Sequence, residues 1–236
     1  GDVYKRQIDG HAPGIRGKEV QAYRLAGVEN DHECSTAEEV LDKLRAGLHI
    51  YVREGSGAKN LETLIKTMLD AGVCLDRCAF CTDDKHVEEI RKEGHISTCI
   101  RKAIALGVPV AKAYKMGSYQ AAEFYGLKNY GAIGAGYRAD IVFLDDLEQV
   151  RPLDVMKDGR ILTEEDYAKD YSVPVPDELL HTVHVGEVTK EKIRLSCDGK
   201  TDVIQMNPHQ IVTTHLVEEV PTENGYFVPN EVYNKI

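Results

Sequence analysis

A chain of 236 residues with 42% hydrophobic and 29% charged residues has the composition of an ordinary globular protein, and the length for a sizeable core or for one domain and part of another. Its formal net charge of −10, with no Lys/Arg-rich stripe to offset it, argues against a partner with a phosphate backbone, so nucleic acid is excluded. No apolar run reaches the length of a membrane span, no signal-peptide pattern opens the chain, and six cysteines at this length do not form a secreted disulfide framework; the reading is cytoplasmic, with no membrane partner.

Residues 1–7, Gly-Asp-Val-Tyr-Lys-Arg-Gln, fit no later element. They resemble one translated frame of the transposon end used to tag DNA libraries, and are set aside as a scar. Ile8 to His11 reads as the end of a strand, and Ala12-Pro13-Gly14 turns the chain. Gly17 to Gly27 is helical, with Val20, Tyr23 and Leu25 on one side and Gly27 as its stop. Val28 to Glu33 forms the next strand end. Ser35-Thr36-Ala37-Glu38-Glu39 has the hydroxyl-then-carboxylate order of a capping box, and Val40, Leu41, Leu44 and Leu48 supply a helical apolar stripe. Strand character returns at His49-Ile50-Tyr51-Val52 and runs out into Arg53-Glu54-Gly55-Ser56-Gly57. The next helix, Ala58 to Leu69, places Leu61, Leu64, Ile65 and Met68 at i, i+3, i+4, i+7 and ends at Gly72. Cys78 to Cys81 is an apolar strand that stops on Asp83 and Asp84. Cys78 and Cys81 have the spacing of a redox or zinc pair, but no second pair follows, and on a strand they face opposite sides; both are expected as buried, reduced thiols.

His95 to Leu106 and Val110 to Tyr125 read as two further helices. Tyr130 to Tyr137 is a glycine-rich connector, Ala139 to Asp146 a buried strand with acidic ends, and Val155 to Leu162 a strand pair broken by the hairpin signal Asp158-Gly159. Residues 163–177 are polar, acidic and proline-bearing, as in a linker. Ile193 to Cys197, Thr201 to Met206 and Ile211 to Val220 alternate as half-buried strands, with a hairpin turn at Asp198-Gly199.

The alternation of strand and helix up to Asp84 means an α/β fold with parallel strands. Ligands collect at strand C-termini in both doubly wound sheets and (β/α)8 barrels. Four successive strand ends carrying His11, His32, Arg53/Glu54 and Asp83 favour the barrel. Two imidazoles and a carboxylate delivered to one face suit a divalent metal that lowers the pKa of bound water. A lone histidine at any of these positions would read as a solvated loop residue or a cap.

Asp9-Gly10-His11-Ala12-Pro13-Gly14, Asp31-His32-Glu33, Arg53-Glu54-Gly55-Ser56, Cys81-Thr82-Asp83-Asp84-Lys85 and Glu93-Gly94-His95-Ile96 resemble, in order, motifs of the bacterial adenine deaminases of the amidohydrolase superfamily. Gly136 to Val142 resembles the strand by which such chains return to a small β-domain. The resemblance implies the C-terminal half of an amidohydrolase-type (β/α)8 TIM barrel over residues 8–130, strands of a small sandwich domain over 131–162, and a linker with the start of a C-terminal α/β domain over 163–236, the chain being truncated at both ends. It implies His11 and His32 as ligands of one metal, and Asp83 as a ligand of another and as the base that takes a proton from water. The centre would be binuclear, with Mn, Fe or Zn, and its remaining ligands, a histidine pair and a bridging glutamate, would precede Ile8, which leaves this fragment inactive alone. Adenine is the implied substrate, deaminated by water at C6 to hypoxanthine and ammonia, in a protein that is a homo-oligomer at full length. Glu33 is either a carboxylate that orients His32 and serves catalysis or one favoured by a helix N-terminus. Arg53, Glu54 and Ser56 border the purine pocket or form loop ion pairs, and His95 is a helix N-terminal residue or lines the site. Two alternatives stay open: an amidohydrolase acting on another nucleobase or a cyclic amide, and a barrel relic without catalysis.

Overall fold

The computed structural model describes residues 8–169 and 172–233, so the stretch set aside as a scar lies outside the described residues. The chain divides into two compact units, residues 1–163 with 208–212, and residues 164–207 with 213–236.

The first unit opens with α1 (Lys18–Leu25), β1 (Asn30–Asp31), α2 (Ala37–Arg45), β2 (His49–Arg53), α3 (Leu61–Asp70) and β3 (Cys78–Cys81). The three strands are parallel and lie in chain order, with Asn30 opposite His49 and Ile50 opposite Cys78. A doubly wound sheet reverses its strand order at a switch point. Consecutive neighbours without a reversal are the arrangement of a barrel wall. α2 starts where expected: the Thr36 hydroxyl accepts from the Glu39 amide, and the Glu39 carboxylate accepts from the Thr36 amide at 2.9 Å. In α3 the stripe Leu61, Leu64, Ile65 and Met68 is fully buried, which ties the helix to the sheet.

Alternation along the strands sorts the side chains onto two faces. Ile50, Val52, Cys78 and Phe80 join the helix-packed core, while Tyr51 and Ala79 pack on the other face with Phe124. Arg53, two residues after Tyr51, therefore leaves the strand on that second face. Cys78 is fully buried and Cys81 half-buried on the opposite side, and both thiols are free. Burial pushes the Cys78 thiol up to about 12 and raises that of Cys81 as well, so both stay protonated and unreactive.

Beyond β3 the unit continues with α4 (Val87–Glu93), α5 (Ile96–Ala105), α6 (Val110–Gly117), α7 (Tyr119–Phe124), β4 (Ile141–Asp146), β5 (Arg151–Lys157) and β6 (Arg160–Ile161). α5 and α6 complete the helical layer through Cys99, Ala103, Ala113 and Met116. β4, β5 and β6 form an antiparallel sheet, and Asp158 and Gly159, both at positive φ, make the hairpin turn between β5 and β6.

Several expectations are corrected. Ile8 to His11 is not in a ladder, because the Gly10 amide donates to the Asn30 side chain at 2.6 Å. The strand expected from Val28 shortens to Asn30–Asp31. Leu25 is exposed, since five residues after Val20 the helical period carries it to another face. The helix expected from Val110 to Tyr125 breaks at Ser118, whose φ of −141° is not helical and whose hydroxyl donates to the Tyr114 carbonyl at 2.7 Å. α4 was not foreseen; Gly94, at φ 97°, ends it. β4 is largely exposed rather than buried, with Val142 and Phe143 open.

The second unit holds α8 (Glu164–Ala168), α9 (Asp177–Leu180), β7 (Lys200–Met206), β8 (Thr213–Glu219), β9 (Thr222–Glu223) and β10 (Tyr226–Phe227). α8 stands where a linker was expected, and α9 begins at its end. β7 pairs antiparallel with β8, Lys200 opposite Glu219, and β9 pairs with β10. The stretch from Ile193 to Cys197 is no strand partner: it contributes one bridge, Ser196 to Tyr226, so Asp198-Gly199 turns the chain without joining a hairpin. Among the described residues, no helix is long and apolar enough to cross a membrane.

Candidate metal centre

Three strand ends and one preceding segment supply the site. His32 and Glu33 follow β1, Arg53 closes β2, Asp83 lies two residues past β3, and His11 precedes α1. The shared parallel direction of β1, β2 and β3 brings their C-terminal ends to one edge. His11 Nδ1 and His32 Nε2 each lie 3.3 Å from Glu33 Oε1. One ligand atom from each of these three residues falls within 4.8 Å of the others. The His11 and His32 rings meet edge to face, centroids 5.4 Å apart.

Asp83 stands beside this triplet, its Oδ2 3.4 Å from His32 Nε2. Its backbone takes φ 50°, the left-handed region, which turns the chain sharply after β3. Arg53 is the buried cation of the site. One of its terminal nitrogens donates to Glu33 Oε1 at 2.8 Å and lies 3.1 Å from Asp83 Oδ2; the other lies 3.1 Å from Asp84 Oδ1. Burial pushes the Asp84 carboxyl up, but the Gly57 N–H and the Arg53 guanidinium outweigh it and hold its pKa below the usual carboxylate range. Glu33, only 4% exposed, is paired with this guanidinium.

The donor set suits a divalent cation. Two imidazoles and one carboxylate, converging in close range, are the ligands that Zn, Mn and Fe accept, and the acidic neighbours Asp83 and Asp84 add charge on the same side. Of the trio His11, His32 and Asp83, the structure groups the two histidines with Glu33 and sets Asp83 next to them. Arg53 lies within the cluster. Glu54 and Ser56 bond elsewhere: Glu54 pairs with Lys102 at 2.6 Å, while Ser56 donates to Glu89 at 2.5 Å and accepts from the His86 amide. His95 caps α5, and its Nε2 meets the Thr82 hydroxyl at 2.7 Å, one residue before Asp83.

Sequence reasoning missed Asn30, Asp31 and Lys43. Lys43 is fully buried in α2, its ammonium 2.8 Å from Asp31 Oδ2 and 2.6 Å from the Ala12 carbonyl. Burial alone would lower its pKa, but the Cys34 thiol, Asp31 and Glu39 raise it above the ordinary lysine value. The available signal was its position, three residues after Val40 and next to Leu44, inside the apolar stripe.

The profile described as "Amidohydrolase family" matches residues 2–162. The adenine deaminase of Desulfitobacterium hafniense (strain Y51) is 41% identical over 236 residues, which cover 99% of this chain and 41% of that protein. Adenine deaminase 2 of Carboxydothermus hydrogenoformans is 40% identical over 222 residues, covering 93% of this chain and 39% of that protein. The chain thus spans about two fifths of the curated relatives it matches. Among solved structures, β-aspartyl dipeptidase from Fervidobacterium islandicum AW-1 superposes with a TM-score of 0.50 at 18% identity, over 70% of this chain and 49% of that one. An amidohydrolase from Thermotoga maritima MSB8 gives 0.50 and 18% over 66% and 43%. These structures bear on the fold alone, and with the parallel sheet they fit a fragment of the TIM-barrel type.

Proposed function

Because the chain belongs to the amidohydrolase family, we propose that it forms part of a metal-dependent enzyme that deaminates adenine hydrolytically, yielding hypoxanthine and ammonia. The observation that carries this reading is the convergence of His11, His32 and Glu33 ligand atoms within 4.8 Å, at the C-terminal edge of parallel strands. The names of relatives near 40% identity supply the substrate. Residues 8–130 are read as strands five to eight of the barrel with their helices, 131–162 as strands of a small β-domain, and 163–236 as a linker and the beginning of a further domain. The whole protein is read as a homo-oligomer.

His11 and His32 would hold a divalent cation, Mn, Fe or Zn, with the Glu33 and Asp83 carboxylates beside them. Such a cation, when bound, makes water acidic enough to lose a proton near neutral pH. Asp83, 35% exposed and 3.4 Å from His32 Nε2, is read as the base that takes a proton from water and passes it toward the leaving amine. Arg53 pairs with both Glu33 and Asp83 and fixes their direction.

The test assays ammonia release by the Mn(II)-loaded protein carrying this chain, offered adenine, guanine, cytosine and a cyclic amide. Release from adenine alone is expected. Turnover of the cyclic amide without adenine would overturn the purine assignment and leave the metal chemistry standing.

A further inference from the structure

The segment from Gly10 to Gly14 carries a ligand histidine, yet it belongs to no strand ladder and no helix. Its backbone N–H groups are nevertheless all met, and by side chains. The Gly10 amide donates to Asn30 Oδ1 at 2.6 Å, the His11 amide to the Tyr23 hydroxyl at 2.7 Å, the Ala12 amide to Asp31 Oδ1 at 2.9 Å, and the Gly14 amide to Glu39. Pro13 has no N–H. From the other direction the Lys43 ammonium donates to the Ala12 carbonyl at 2.6 Å and to Asp31 Oδ2 at 2.8 Å. The segment lies so close to β1 that a Cβ on Gly10 would come within 1.7 Å of the Asn30 carbonyl oxygen.

Lysine is almost never fully buried without a reason, since the ammonium must replace its hydration shell. Here both members of the pair are fully buried, and two of their bonds end on the residue next to His11. A pair kept only to fasten α2 to β1 would not need to reach Ala12. Bonds to charged groups are also the stronger ones. We propose that Lys43 and Asp31 are positioning residues for His11: the buried pair grips Ala12 from both sides and so sets where the His11 imidazole stands. The proposal rests on the reading of His11 as a ligand for its purpose, though not for its geometry.

Lys43→Met alone strands the Asp31 carboxylate and can unfold the chain, so the double variant Lys43→Met/Asp31→Asn, which removes both charges, carries the test. Amide hydrogen exchange is measured in the metal-free protein carrying this chain. Exchange over residues 10–14 is expected to rise at least about 10-fold, with the β2 amides of Ile50 to Val52 unchanged. Co(II), titrated by its visible d–d absorption, is expected to bind roughly 10-fold or more weakly to the variant. Unchanged exchange over residues 10–14, or an equal rise in β2, would overturn the proposal. Should the natural sequence and His11→Ala take up Co(II) alike, the ligand reading of His11 falls, and with it the purpose of the grip.

Discussion

Arg53→Met is the sharpest probe of the charge balance at the strand ends. The substitution keeps much of the stem's apolar bulk and removes the guanidinium that meets Glu33, Asp83 and Asp84. Breaking a buried ion pair by deleting one partner costs roughly 3–5 kcal/mol, because the remaining charge is left without compensation. Asp83 and Asp84 are 35% exposed, so water screens their share, and only Glu33, at 4%, loses its full support. The low end applies, ~3 kcal/mol, which for a chain of this size lowers the unfolding midpoint by about 6–12 °C. Thermal unfolding at pH 7, followed by far-UV circular dichroism, measures the loss. Arg53→Lys serves as the comparison: an ammonium keeps the charge but lacks the planar fork, so an intermediate loss is expected. A Met variant within ~1 kcal/mol of the natural protein, or a Lys variant indistinguishable from it, would refute the reasoning.

His32→Ala in the protein carrying this chain is expected to reduce adenine turnover at least about 100-fold while moving the unfolding midpoint little, since the residue stands at a strand end; parallel losses of activity and stability would mark it as structural. Burial, reinforced by Arg77, holds the His49 imidazole below its ordinary pKa. The unfolded chain therefore binds the proton more readily, so this residue's contribution is complete above about pH 6.5 and declines as the pH falls through that value. Urea titrations from about pH 5 to pH 7 measure it, and His49→Gln is expected to flatten the slope. Thr36→Ala removes the hydroxyl of the α2 capping box and is expected to cost ~1 kcal/mol in the same titration at pH 7.

What the sequence made legible was local and periodic. The stripe Leu61, Leu64, Ile65 and Met68, the Thr36 to Glu39 box and the Asp158-Gly159 turn each depend on neighbours within a few residues, and each is found as expected. The polar strand ends follow from the same periodicity, which is why the sequence alone brings His32, Arg53 and Asp83 to one edge. Contacts across the sequence were harder. Nothing near Thr201 announces that its strand pairs with Glu218 rather than with the preceding Ile193 to Cys197. Lys43 reads by residue type as solvent-facing, and its partners Asp31 and Ala12, twelve and thirty-one positions earlier, explain its burial. Ile8 to His11 reads as a strand end, yet the Gly10 and Ala12 amides bond to side chains, a choice no alternation pattern encodes.

The backbone of Asp83 narrows what evolution or an engineer can place there. A left-handed twist at φ 50° is tolerated by glycine and by short polar side chains, and resisted by longer or branched ones. Glutamate, the obvious way to extend the acid's reach, would have to bend the loop or bear conformational strain. Asparagine matches the shape and discards only the charge, which makes Asp83→Asn the substitution that separates what this residue does as an acid from what it does as a corner of the chain.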